Sequence, residues 1–456
     1  MADIQAFRAL RYDLSRVGNL SDVVAPPYDV IDGEFQEQLY ARHDNNVVRL
    51  ILNQQQDGED VQLRYRRAAK FLKDWVRTGI LQQDIESTIY VYHQTFTVDG
   101  QEITRRGFLS RVRLENFGEG QIYPHEETHA KAKTDRLNLT TECQANLSPI
   151  FGIFPDAENQ LQTVLEEGIQ DRTPIVASDH LGVKHSMWRV TDTGVLSKAA
   201  ELMGPRPIYI ADGHHRYETA CNYRDQIAAD YRESNPDDQT ELPADHPANY
   251  VLMMNISMDD PGMIVLPTHR LFRGIPPMSS SDLIEKLDSC FDCEIIGEGA
   301  GKANDVWELI AVEDRQDTIG LFCAADNRWV VCRLNTAGAV QMEAVCGHSD
   351  EWRSLGVAIL HELIVGHLLN QPELPSPLYV HTVDQVVHGL THGDATGRDA
   401  TGQEAAGEQF QLGALVMPAS LNHVRDVSLN GERMPAKSTY FYPKLLSGLV
   451  INPLTN

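Results

Sequence analysis

Asp212-Gly213-His214-His215-Arg216 gathers a carboxylate, two imidazoles and a guanidinium into one short run. The preceding Ile208–Ala211 is apolar and β-prone, as in a buried strand, and Asp-Gly ends it. Asp212 suits a helix N-cap, Gly213 permits a tight turn, and Tyr217, Ala220 and Cys221 then recur at helical spacing. Strand, turn and helix start aim backbone N–H groups and the positive end of a helix dipole at one point. Such a point is an anion site, with phosphate its usual occupant. His214, His215 and Arg216 add donors, and Arg216 can grip a phosphate through two parallel hydrogen bonds. Asp212 would hold a Mg²⁺ that escorts the phosphate, or accept a proton. The plainer alternative is a capped helix whose histidines face solvent.

Three other stretches carry chemistry. His125-Glu126-Glu127-Thr128-His129 fits a zinc-protease pattern, in which a helix sets both histidines on one face with Glu126 as general base. It runs, however, into Ala-Lys-Ala-Lys-Thr-Asp-Arg, which is no core helix, and a third ligand does not follow. The stretch reads instead as polar lining: Lys133 and Arg136 for phosphate charge, His125 or Glu126 for proton transfer, Glu126 also for Mg²⁺. Pro26-Pro27 excludes a helix, so Tyr28-Asp29 present a phenol and a carboxylate from a stiff loop, or form a structural turn with Asp29 as a cap. Lys437-Ser438-Thr439, then aromatics and Lys444, suit a loop that folds over a phosphorylated or polar ligand. His269-Arg270 closes an apolar run and is a secondary candidate or a surface pair. A Walker-type Gly-Lys-Ser/Thr loop and the protein-kinase signatures are absent from the sequence.

The string Ala211–Ala220 (ADGHHRYETA) resembles the Asp-Gly-His-His-Arg signature of ParB/sulfiredoxin-fold free serine kinases. Gly213, Arg216 and Ala220 also fit the Gly-x-x-Arg-x-x-x-Ala phosphate box of ParB-like proteins. With APPYDVI (25–31), HEETHAKAKTDR (125–136) and MPAKSTYFYPKLLSGL (434–449), the chain resembles a poorly characterised bacterial and archaeal family related to those kinases. The resemblance implies an α/β fold with a ParB/sulfiredoxin-like core and mixed sheet. It implies a nucleotide-dependent kinase, with ATP or ADP and Mg²⁺, that phosphorylates a small alcohol, free L-serine first. An acidic residue near the N-terminus is the catalytic base in the serine kinases, and Asp29 is the nearest candidate by position. Asp29, His125, Glu126 and Asp212 would then be catalytic. Gly213, His214, His215, Arg216, Lys133 and Arg136 would bind the nucleotide. Tyr28, Asp135, Lys437, Ser438 and Thr439 would bind the acceptor. Two rivals stand beside this: a metal-dependent hydrolase using His125, Glu126 and His214 or His215, and a ParB-like nucleotide switch.

The elements that must position these groups come from bulk and periodicity. The 456 residues allow two or three domains. Residues 1–272 are expected to form the catalytic region, and 273–456 a C-terminal α/β region whose segment 434–449 returns to the site. A net charge of −26 opposes nucleic acid and anionic membranes as partners, leaving small molecules and a homodimer. Seven scattered cysteines, one pair as Cys290-x-x-Cys293, suit a reducing, cytoplasmic setting. Val61–Gly79 has helical spacing with a C-cap glycine. Thr88–Val98 and Glu102–Leu114 alternate around Asp99-Gly100, a hairpin signal. Strands are expected at Tyr250–Met258, Asp317–Ala324, Trp329–Leu334 and Leu412–Met417, a buried helix at Leu355–Leu369, and loops at 233–248 and 389–409. Met187–Val190 and Gly194–Ala199 are expected to flank a turn.

Overall fold

A computed structural model describes residues 2–56, 58–98, 100–235, 242–393 and 409–455. The chain divides into two compact units. The first comprises 1–124, 128–263 and 443–456; the second comprises 125–127 and 264–442. The block 434–449 is therefore shared: Met434–Tyr442 belongs to the second unit and Pro443–Leu449 to the first.

The first unit is built on a nine-stranded sheet. Its strands in chain order are β1 Ile4–Gln5, β2 Ile89–Val98, β3 Gln101–Arg113, β4 Ile122–Pro124, β5 Ile150–Phe154, β6 Ile175–Ser178, β7 Lys184–Val190, β8 Ile208–Asp212 and β9 Tyr250–Ser257. They lie in the order β4-β8-β5-β9-β3-β2-β7-β6, with β1 also on β3. The β4–β8 and β5–β9 pairs are parallel and the rest antiparallel, so the sheet is mixed and the fold is α/β. Alternation in β2 and β3 forms the expected hairpin, although Asp99 lies outside the described residues. Five helices matter here: α1 Val61–Arg77, α2 Ala130–Cys143, α3 Gln160–Glu167, α4 Thr193–Met203 and α5 His214–Ser234. Residues 194–199 are thus helical rather than the far arm of a turn. The Asp192 side chain accepts the Val195 N–H and starts that helix. Leu161, Leu165, Ala199 and Met203 of α3 and α4 bury themselves with Phe108, Phe154 and Ile210 of the sheet.

The second unit holds a six-stranded antiparallel sheet. Its strands are β10 His269–Phe272, β11 Phe291–Glu298, β12 Thr318–Cys323, β13 Arg328–Leu334, β14 Leu378–Val380 and β15 Leu412–Leu415, in the order β11-β13-β12-β15-β10-β14. The tight turn between β12 and β13 places Asn327 in the left-handed region, as Asp-Asn foreshadows. The strand expected at Leu412–Met417 spans Leu412–Leu415 and is interior to this sheet. His269 and Arg270 are fully buried, not a surface pair. Arg270 donates to the Thr268 and Lys437 carbonyls, and burial pushes its pKa down to about 10. Burial also pushes His269 down to about 3, so it stays neutral. The 355–369 helix is α-helical only at Gly356–Ala358 and π-helical from Ile359 to Leu368. Of the two expected loops, 236–241 and 394–408 lie outside the described residues. Residues 233–234 and 389–392 are helical.

Phe154 is 1 % exposed, and its ring centroid lies 6.2 Å from that of Phe108. Phe154→Ala should cost about 3–5 kcal/mol. A urea midpoint within error of the parent would refute this packing.

Candidate functional site

The strand-turn-helix unit forms as its residues dictate, with one change of role. Asp212 is the last residue of β8, and Gly213, at φ 95°, occupies the N-cap position of α5 with no side-chain cap bond. A β-bulge between Ile210 and Asp212 shifts the register against β5 just before the turn. A Cβ at Gly213 would lie 3.0 Å from three atoms of the Arg216 guanidinium group. Glycine thus serves the left-handed backbone, and a Cβ there would also crowd the guanidinium that folds back over it.

Arg216 donates to the Pro149 carbonyl, and its Nη2 lies 3.4 Å from Asp212 Oδ1. Lys444 Nζ donates to Asp212 Oδ2 at 2.9 Å. The Asp212 carboxylate therefore lies between two cations, a charge-assisted arrangement. Lys444 is held in place through its own backbone: its carbonyl accepts from Gln94 Nε2 at 3.0 Å, and the adjacent Pro443 carbonyl accepts from buried Arg105. Burial pushes Arg105 down to about 10, partly offset by Tyr92, Asp260 and Asp212.

His214 is buried at 2 % exposure, so the solvent-facing alternative fails for it. His215 Nε2 accepts the His129 N–H at 2.9 Å, and the two rings stack with centroids 5.9 Å apart. His129 is the N-cap residue of α2, which starts only at Ala130. The His-Glu-x-x-His run is therefore not helical and does not align its histidines on one face. Among the described residues no cluster of three or more His, Cys, Asp or Glu side chains is arranged to hold a metal.

Lys133 pairs with Glu218 at 2.7 Å, and the Thr128 hydroxyl donates to the same carboxylate. Asp135 accepts from Tyr65 at 2.6 Å, from Arg136 Nε at 2.7 Å and from Arg64. Arg136 also donates to the Ile51 carbonyl, and its guanidinium lies 3.9 Å over the Tyr28 ring centroid. Asp135 thus orients Arg136. Burial alone would raise the Asp135 pKa, but Arg136, Tyr65 and Arg64 outweigh it and hold the carboxyl below its ordinary range. Asp29, beside Tyr28, is exposed.

Tyr28, Arg136, Arg216 and Thr219 line one pocket with Thr140, Ser148 and neighbouring apolar residues; its volume is about 40 Å³. By that measure it has room for roughly three waters, or one small oxyanion group. The Thr219 hydroxyl is buried with no hydrogen-bond partner. All four blocks contribute residues to this unit. Ala25 and Ser447 exchange backbone hydrogen bonds at 3.2 and 2.8 Å, and Ser447 Oγ lies 2.6 Å from Ser148 Oγ.

The remaining candidates belong to the second unit. His125 is buried, with Nε2 3.0 Å from Thr439 Oγ1. Glu126 Oε1 accepts the Lys437 N–H at 3.2 Å. Lys437 is exposed at φ 56°, and the Ser438 hydroxyl donates to the Pro435 carbonyl at 2.5 Å. Glu218 and Thr219 are functional candidates that sequence reasoning left out, and Lys444 entered it without its Asp212 partner. Only Lys444 carried a signal, as the second lysine of a terminal block.

Residues 4–358 match the model of a family described as protein of unknown function, DUF1015. No curated protein matches the sequence. Among solved structures, a free serine kinase in complex with AMP is 10 % identical, with 70 % of this chain and 83 % of that one covered, at a TM-score of 0.30. SbnI with C-terminal truncation, from Staphylococcus aureus, is 11 % identical over 76 % and 87 %, at 0.32. A conserved hypothetical protein from Pyrococcus furiosus is 10 % identical over 71 % and 89 %, at 0.30. Likeness at this level assigns neither a fold nor an activity.

Gly213→Ala should lose about 1–2 kcal/mol from the left-handed backbone alone and displace the Arg216 guanidinium. An unchanged urea midpoint would contradict this. Because the folded Asp135 pKa is depressed, its stabilisation is full above the unfolded carboxyl pKa of about 4 and fades as pH falls through the folded value. Asp135→Asn should therefore destabilise by about 1–3 kcal/mol at neutral pH and much less near pH 3. Denaturation curves at the two pH values check the sign.

Proposed function

We propose that this chain, which belongs to the DUF1015 family, is a nucleotide-dependent phosphotransferase that phosphorylates the hydroxyl of a small, anionic metabolite. The observation that carries the reading is the Gly213 turn. A helix of 21 residues begins there without a side-chain cap, at the end of a sheet strand, beside the cations Arg216 and Lys444. One carboxylate between two cations leaves a net positive charge at the positive end of a helix dipole, which suits the phosphates of ATP or ADP. His215, Lys133 and Arg136 are further candidate nucleotide contacts.

The acceptor would place its own anionic group in the pocket lined by Tyr28, Arg136, Arg216 and Thr219, where the Thr219 hydroxyl is unsatisfied. Free serine, with its carboxylate, is the first choice by resemblance. Exposed Asp29 adjoins Tyr28 and would take the hydroxyl proton as the oxygen–phosphorus bond forms and the bond to the leaving nucleotide breaks. Asp212 acts here as a positioning residue for Arg216 and Lys444. Its carboxylate already holds both cations, so it is a poor Mg²⁺ ligand. Glu126 Oε1 already accepts the Lys437 amide. Phosphoryl transfer needs mainly positioning and charge neutralisation, which these cations supply.

Arg216→Ala should weaken ATP and ADP binding at least about tenfold, or 1.4 kcal/mol, by calorimetry, with the circular dichroism of the parent. Labelled nucleotide incubated with Mg²⁺ and serine should yield a phosphorylated product with the parent protein and none with the variant. Equal affinity in parent and variant would sink the reading.

A further inference from the structure

The Cys290-x-x-Cys293 motif does not operate as a pair. Cys290 is buried ahead of the strand, with its sulfur 3.5 Å from Ser289 Oγ. Cys293 lies on β11, directly opposite Cys332 of β13 in the antiparallel register. Their sulfurs are 3.4 Å apart, and both are free thiols. Directly opposed residues of an antiparallel pair have Cα atoms about 4.5–5.5 Å apart, within the span a disulfide bridges. Closing the bond therefore requires side-chain rotation and not backbone movement.

Access and reactivity differ between the two sulfurs. β11 is an edge strand of its sheet, and Cys293 is half-buried, whereas Cys332 is fully buried in the sheet interior. The hydrogen bond with Cys332 lowers the Cys293 pKa, while that same bond and burial push Cys332 up. The accessible thiol is thus the better nucleophile, and the hidden one waits beside it.

We propose that Cys293 and Cys332 are a peroxide-responsive thiol pair that closes into a reversible cross-strand disulfide. The Cys293 thiolate attacks one oxygen of hydrogen peroxide; the S–O bond forms, the O–O bond breaks, and hydroxide leaves. Cys332 then attacks the sulfenic sulfur. The S–S bond forms, the S–O bond breaks, and the hydroxyl leaves as water with the Cys332 proton. Two electrons pass from the sulfurs to one peroxide. The bond would tie the edge strand covalently to its neighbour across 39 residues of chain.

The test is peptide mapping by mass spectrometry after brief exposure of the whole protein to hydrogen peroxide, followed by alkylation of the remaining thiols. The expected result is a linked peptide containing Cys293 and Cys332, two hydrogens lighter than the sum of its parts and released by dithiothreitol. Cys332→Ser should instead accumulate a dimedone adduct at Cys293; if that variant does not fold, the parent's map decides alone. Alkylation of both residues after peroxide, or a link from Cys293 to Cys290, would overturn the proposal.

Discussion

Asp212 is held between a cation one helical turn later, Arg216, and another 232 residues later, Lys444. Much of the first unit's local design follows from keeping that arrangement. Gly213 takes a left-handed backbone so that the helix can leave the strand at once, and lacking a Cβ it leaves the guanidinium room to fold back. The bulge before Asp212 alters the register at the point where the strand has to end. Buried Arg105 and Gln94 bond the carbonyls of Pro443 and Lys444, which fixes where the distant lysine emerges. Burying that many charges is costly unless each finds partners. An excess of one positive charge at this turn, in a chain of net charge −26, is therefore a specific local feature.

The central unit was legible because it is local. Apolar run, Asp-Gly and helical spacing lie within a dozen residues, and each reports the backbone directly. The same holds for α1 and for the β2–β3 hairpin. Cap assignment failed by one position, because Asp212 is a good cap by residue type but Gly213 alone can adopt the backbone required. The polar run 125–136 has few apolar residues and hence no period, so its extended start and the helix from Ala130 read alike in sequence.

What lay beyond sequence reasoning depends on distant partners. Lys444 is fixed through Asp212, and Asp135 is engaged by Arg64, Tyr65 and Arg136, pairings that no local pattern reports. Arg270 shows the converse. A charged residue read as a secondary site candidate or a surface group is sealed inside because backbone carbonyls of Thr268 and Lys437 serve its donors. Cys293 likewise finds its neighbour in the next strand and not in the motif that contains it.

The path of the chain has a consequence for biosynthesis. The polypeptide leaves the first unit after Met263 and rejoins it only at Pro443, so the second unit is largely translated in between. At 5–20 residues per second, a ribosome would deliver Lys444 roughly 10–50 s after Asp212. Throughout that interval the nascent carboxylate must wait with one of its two cationic neighbours not yet made.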